Sequence, residues 1–498
     1  MIDFTIFLAI TPILLIIVLM LMRLPLKKAA PITFLYTLVL AYFYWKVTNP
    51  ALFGSTLRGL LVAIDISIII FGALFLLEFL KKTKIIYSIE NYLSTISPDV
   101  RIQALLLVWF FGSFIEGAAG FGTPAAIIAP LLVGIGFPVI TAISIALIGN
   151  SAAVVFGAVG TPIRVGFSGL EVAGVATQAA LINIAIGLLV PLAILGVLIY
   201  NSSQRNWQRF KEIIPLSILS GFLLVAPSYL VSFLGEEFPS LLGPLIGLML
   251  MLLVIKHNVF VPKHVMKFKR KEEKKEDINK VKAILPYGLL VLFLIIGRFF
   301  LGSKNISLTS EIQHTINFFN PGLAFILAII FFSFIYKISY KEIKEPLKKS
   351  FKTIKTPFIV IFFITAFVQI MINSWINFSG LESMIITMTN LLNLTLLPFI
   401  TPLLGAFGSF VTGSATVSNI LFGAFFQSAA QSAGLQINKV LALQVIGAAI
   451  GNMIALTNIV AAQAATGISG KELDILKITI IPCIILLVVA GIIGGIIL

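Results

Sequence analysis

GSFIEGAAGFGTPAAI (112–127) and GSFVTGSATVSNILFG (408–423) decide how this chain is read. Gly112, Ser113, Phe114 and Gly117 of the first match Gly408, Ser409, Phe410 and Gly413 of the second, and Glu116 stands opposite Thr412. Both stretches lie in apolar regions, 103–135 and 398–433, that Gly, Ser, Thr and Pro interrupt too often for a plain membrane-crossing helix. Each is followed by an Ile-Gly-Asn step, Ile148-Gly149-Asn150 in one half and Ile450-Gly451-Asn452 in the other. Small polar residues come after both steps: Ser151 and Gly160-Thr161-Pro162, then Thr457-Asn458.

Around these motifs the chain is made for lipid. Hydrophobic residues make up 59% and charged residues 11% of its 498 positions, against about 25% charged in a soluble domain. Mean hydropathy is +1.09. At roughly 20 apolar residues per crossing, spans fall near 4–22, 30–48, 57–80, 138–160, 173–200, 212–234, 240–256, 284–302, 320–338, 356–376, 438–465 and 475–497, twelve in all. The first run lacks a basic n-region and a cleavage site, so it reads as a retained span.

The net charge of +15 does not point to nucleic acid. Lys and Arg gather in short segments between apolar runs, and the tract KFKRKEEKKED (267–277) mixes in acids, as a solvated loop would. The single cysteine, Cys483, precludes an internal disulfide. His257, His264 and His314 lie between spans, with no HExxH or Cys/His cluster. A metal site, a cofactor and enzyme chemistry are therefore not expected. No GxxxxGK[ST] motif supports ATP-driven transport.

Charge also sets orientation. Arg23, Lys27 and Lys28, then Lys81, Lys82 and Lys84, then Arg205, Arg209 and Lys211 flank spans, as do the 256–283 loop and the tract Lys337 to Lys355. The opposite loops are poor in charge or acidic, such as Gly235-Glu236-Glu237. All basic loops lie on the cytoplasmic side of the cell membrane if both termini lie outside. The count closes only if 103–135 and 398–433 are re-entrant hairpins, the first opening to the cytoplasm and the second to the outside. The expected architecture is an all-α polytopic membrane protein built as an inverted repeat. Residues 1–200 and 284–498 form its halves, and a helix pair and basic loop at 201–283 join them. Such repeats hold a solute at their interface, near mid-membrane.

Backbone can turn inside a membrane only where it is buried in protein or lines water. Gly117, Gly120, Gly122 and Gly413 permit the turns, and helix N-termini at the tips attract an anion. Ser113, Thr123, Asn150, Ser151, Thr161, Ser409, Thr412, Ser414, Ser418, Asn419, Asn452, Thr457 and Asn458 supply hydroxyl and amide groups for a carboxylate or hydroxyl. The plainer alternative is helix packing, which also uses Gly, Ser and Thr. Ionisable groups inside spans are costly, so each is a functional candidate. Glu116 and Asp65 are the candidates for ion coupling; a hydrogen bond that locks the hairpin, or a fixed Arg partner, is the alternative. Glu78 and Arg58 lie near span ends and read as snorkelling. Arg164 and Arg298 are the guanidinium groups available for a substrate carboxylate, or else interfacial anchors.

EGAAGFG (116–122), GNSAAVVFGAVGTPI (149–163), FVTGSATVSNILFG (410–423) and AATGISGKE (464–472) together resemble the L-lactate permease family along most of the chain. The resemblance implies uptake of lactate, and often glycolate, with protons, on the broad fold of ion transporters that carry paired hairpins. In that family the second hairpin usually reads T-G-S-D-T-x-S-N and the next span G-K-M. Here Ala415 takes the Asp place and Asn452 the Lys place. An acid and a base are missing together, which leaves the local charge unchanged. The rival readings are a cation-coupled carrier, driven by H+ or Na+, for another organic or inorganic anion, and an anion channel. A channel needs a filter or charged rings, which the sequence lacks. Oligomeric state stays open, a homo-oligomer included.

Overall fold

Helices carry most of the described residues, because backbone in lipid must close its hydrogen bonds within its own segment. The computed structural model describes residues 4–120, 122–202, 205–268, 280–390, 392 and 394–498. Most of the basic tract, 269–277, lies outside the described residues. In chain order come α1 (Phe4–Leu21), α2 (Leu26–Phe43), α3 (Asn49–Lys82), α4 (Ile85–Thr95), α5 (Val100–Ala118), α6 (Thr123–Gly134), α7 (Val139–Asn150), α8 (Gly157–Arg164) and α9 (Val175–Tyr200). Next are α10 (Trp207–Ser232), α11 (Pro239–Lys256), α12 (Lys280–Phe300), and the antiparallel strands β1 (Ser303–Ser307) and β2 (Gln313–Asn317). The chain ends with α13 (Pro321–Ile335), α14 (Tyr340–Asn373), α15 (Met384–Thr389), α16 (Leu397–Thr412), α17 (Ala415–Ser432), α18 (Ile437–Gly451), α19 (Leu456–Thr466) and α20 (Glu472–Ile497).

This is an all-α multi-pass membrane protein. Among the described residues, nine helices are long and apolar enough to cross a bilayer, or ten if a bent pair counts as one span. The order of elements runs twice. α2–α9 and α13–α20 each hold an apolar helix, a 34-residue helix, a short helix, a helical hairpin, a broken helix and a 26-residue helix.

Several boundaries differ from expectation. The regions 138–160 and 438–465 are not continuous spans. The first breaks after Asn150 into a 3-10 turn, Ala153–Phe156, and bends by 52°. The second breaks after Gly451 into the turn Asn452–Ile454. Both breaks fall at the Gly-Asn steps, where Asn side chains compete for backbone partners and Gly adds no helix preference. The helices expected at 57–80 and 356–376 run instead from Asn49 to Lys82 and from Tyr340 to Asn373. Much of the Lys337–Lys355 tract is thus helix, started by a capping box between Ser339 and Glu342. At about 1.5 Å per residue, each is about 51 Å long, well beyond a hydrocarbon core of about 30 Å.

α3 and α14 pack antiparallel. Gly59 rests against the Ala366 backbone, Asn373 Nδ2 donates to Ser55 Oγ at 3.1 Å, and Thr365 Oγ1 donates to the Gly59 carbonyl at 2.8 Å. At the other end Lys349 meets Glu78 at 2.6 Å and Lys82 pairs with Glu345. The strand pair is an addition that the apolar pattern did not announce.

Candidate solute site

The first hairpin joins α5 to α6 through a tip in which Gly120 (φ +60°) and Gly122 (φ +74°) adopt left-handed backbone. An L side chain is strained at either place. The Thr123 hydroxyl donates to the Gly120 carbonyl at 2.8 Å and ties the tip. Gly117 lies directly on the Ser240 backbone, so it serves close packing. α5 is π-helical from Leu105 to Phe111, a distortion frequent near functional sites. Its root is clamped. Arg101, fully buried, pairs with Asp99 at 2.6 Å and donates to the carbonyls of Arg209 (2.8 Å) and His264 (2.6 Å).

The second hairpin joins α16 to α17 at Gly413 (φ +76°), and Ser414 caps α17 by accepting from Val417 N at 3.3 Å. The Thr412 hydroxyl stays within this turn, donating to Gly408 O at 2.7 Å. The Ser418 hydroxyl spans the hairpin to Gly405 O at 2.8 Å. Asn419 leaves it: Nδ2 donates to Pro162 O at 2.8 Å and links this hairpin to the first broken helix.

At the first break Ala158 (φ 41°), Val159 (φ 52°) and Gly160 (φ 79°) are all left-handed. For the β-branched Val159 that is a true outlier, and such strain gathers at functional sites. The Gly120 tip lies against Ala158. Glu116, 3% exposed, accepts a hydrogen bond on Oε2 from Asn150 Nδ2 at 2.9 Å, while Gly157 leaves just enough room for its Oε1. At the second break Asn458 Nδ2 donates to Asn452 Oδ1 at 2.7 Å, and Asn452 Nδ2 reaches Ser409 Oγ at 3.5 Å. Asn458 also lies against Gly122, and Thr457 against Gly413. Both tips therefore meet both breaks.

They enclose a small cavity of about 20 Å³, room for a water, which needs roughly 10–15 Å³. Glu116, Gly122, Thr161, Gly413, Ser414 and Asn452, all foreseen as candidates, line it. Val154, Gly157, Ala158, Pro162, Ala415 and Thr416 line it too and were not among the site candidates. Asn150, Ser409 and Asn458 stand one contact back, holding those side chains. Ser113 and Ser151 are buried elsewhere in the packing; the Ser151 hydroxyl donates to Ile148 O at 2.7 Å. Gly122, the N-cap of α6, and Ala415 and Thr416 in the first turn of α17 border the cavity, and a helix N-terminus favours an anion.

The profile of the L-lactate permease family matches residues 5–305 and 300–498. A putative L-lactate permease of Haemophilus influenzae is 31% identical, over 97% of each chain. This chain belongs to the L-lactate permease family. An L-lactate permease of Bacillus subtilis is 28% identical over 92% of this chain and 89% of its own. A glycolate permease of Escherichia coli is 27% identical over 95% and 91%. Among solved structures, the Alcanivorax borkumensis YdaH transporter overlays with a TM-score of 0.45 at 12% identity, covering 92% of this chain and 88% of that one.

In this member of the family, the two positions that depart from the family's usual reading, Ala415 and Asn452, border the same cavity. Two other candidates do not. Asp65 accepts from Asn320 Nδ2 at 2.7 Å and so fixes the start of α13. Arg164 donates to Glu237 Oε1 at 2.7 Å and to Phe319 O at 2.6 Å, one turn beyond the tip cavity.

Proposed function

We propose that this protein is a secondary active transporter that carries L-lactate, glycolate or a related small monocarboxylate, together with a proton, across the cell membrane by alternating access. The observation that carries this reading is the meeting of both hairpin tips and both broken helices around one buried carboxyl, Glu116. An anion entering this pocket alone would lose its hydration without recompense. If Glu116 takes up a proton as the anion enters, the pocket gains no net charge. The solute carboxylate would then sit at the N-terminal turns of α6 and α17, with Thr161, Thr416 and Asn452 placed for its hydroxyl.

We read the halves as inverted in the membrane, with both termini outside. The root of the first hairpin is bound to the Arg209 and His264 segments, next to basic loops. Beside the root of the second, Lys439 donates to Ile497 O at 2.9 Å, at the end of the chain. Hairpins rooted apart and meeting at their tips suit a site opened alternately from each face. Carriage of another small anion, such as a dicarboxylate or sulfate, is the second reading, favoured by the neutral pair Ala415 and Asn452.

Uptake of labelled L-lactate into proteoliposomes tests both. An inward proton gradient should drive accumulation without sodium, and unlabelled glycolate should compete. Accumulation driven by sodium alone would overturn the coupling. Failure of lactate and glycolate to enter, where sulfate or a dicarboxylate does, would select the second reading.

A further inference from the structure

A second cavity, about 390 Å³, lies beside the broken first helix. Its charged lining is Arg58 of α3, Arg164 of α8, Arg298 of α12, His314 of β2 and Glu236 of the loop before α11. Two of the guanidinium groups already have carboxylates. Arg164 holds Glu237, and Arg298 lies 3.5 Å from Glu237 and 3.8 Å from Glu236. Arg58 makes no hydrogen bond or ion pair among the described residues. Gly169 (φ +82°) backs directly onto its guanidinium and leaves it facing the cavity. The nearest acid along its own helix, Asp65, is taken by Asn320. Burial first, and then the charge of Arg58, hold His314 below its ordinary value against the pull of Asp65. His314 is thereby pushed toward its neutral form. The Nε of Arg164 is likewise buried without a partner.

An unmatched guanidinium in a confined cavity attracts an anion, and its planar fork suits a carboxylate. The cavity also leads somewhere. Arg164 follows Thr161, which lines the tip cavity, by one helical turn. We infer that this cavity is an anion antechamber, in which Arg58 takes up a small carboxylate before it passes Arg164 to the tip cavity. Its place on the solute's path rests on the transport reading above; its capacity to bind a carboxylate does not.

Arg58 lies at the opposite end of α3 from Lys81 and Lys82, so the site serves one membrane face. In right-side-out and inside-out vesicles, Arg58→Gln should raise KM for L-lactate about tenfold from the Arg58 face. KM from the other face should stay unchanged, which also reports a folded protein. Arg58→Lys should recover part of the loss. An unchanged KM at the Arg58 face, or an equal rise at both faces, would overturn the antechamber. Phenylglyoxal labelling of Arg58, mapped by mass spectrometry in the purified protein, tests binding without transport. L-lactate or acetate should slow that labelling. No protection by either carboxylate would sink the site even if lactate transport holds. Protection without any lactate uptake would keep the site and sink the transport reading instead.

Discussion

Ala415 and Asn452 are buried beside a cavity of about 20 Å³, so a charge introduced at either place loses most of its hydration. Ala415→Asp alone buries an acid, and Asn452→Lys alone buries a base. Each should cost roughly 3–5 kcal/mol, the usual loss when one member of a buried pair stands alone. The double change should restore expression and transport relative to either single one, giving a coupling term in a double-mutant cycle. Simple additivity of the two effects would mean that the positions do not interact. Glu116→Gln keeps an oxygen for Asn150 but cannot exchange a proton. The variant should lose accumulation driven by a pH gradient while still exchanging bound anion, as counterflow of labelled lactate would show. Unchanged pH-driven accumulation would leave Glu116 a structural role. Glu116 stood out in the sequence because an acid in an apolar hairpin is costly. Gly157, Ala158 and Thr416 did not, since small residues with no charge look alike whether they line a cavity or pack helices. The left-handed backbone of Ala158 and Val159 had no signal at all, because their side chains normally avoid it.

At the scale of elements, the hairpins were legible through their Gly-rich tips and the broken helices were not. The Gly-Asn steps interrupt apolar runs too briefly to stand out from a continuous span. The length of α14 was hidden for a related reason. Its basic first turns look like loop when only hydropathy is counted, although Ser339 and Glu342 form a capping box there. One element can be tested through its root. Arg101→Met would leave Asp99 buried and unpaired, at a cost of about 3–5 kcal/mol. Asp99→Asn in the same chain should recover part of that loss, since Asn keeps the helix cap but gives up the hydrogen bond that Asp99 Oδ2 accepts from Met266 N. Unfolding midpoints in detergent would reveal it. No recovery in the double variant would mean that the hydrogen bonds to the Arg209 and His264 carbonyls, not the charge balance, hold the hairpin.

The proposed orientation is tested on the molecule as a whole. Pro138, after the first hairpin, and Gln436, after the second, are both exposed, while Cys483 is buried. On a Cys483→Ser background, Pro138→Cys should react with an impermeant maleimide from the cytoplasm and Gln436→Cys from outside. Labelling of both from one face would rule out inverted halves. A symporter that accumulates its cargo must travel half of each cycle empty, and an empty site left gaping would let protons slip through without work. On the transport reading proposed above, the water-sized junction at the hairpin tips would answer that requirement. Asn150 holds the Glu116 carboxyl and Asn458 lies against Gly122, so a vacated carrier would reset with its gap narrowed to the size of a water, and the ratchet would advance only when a passenger pries it open.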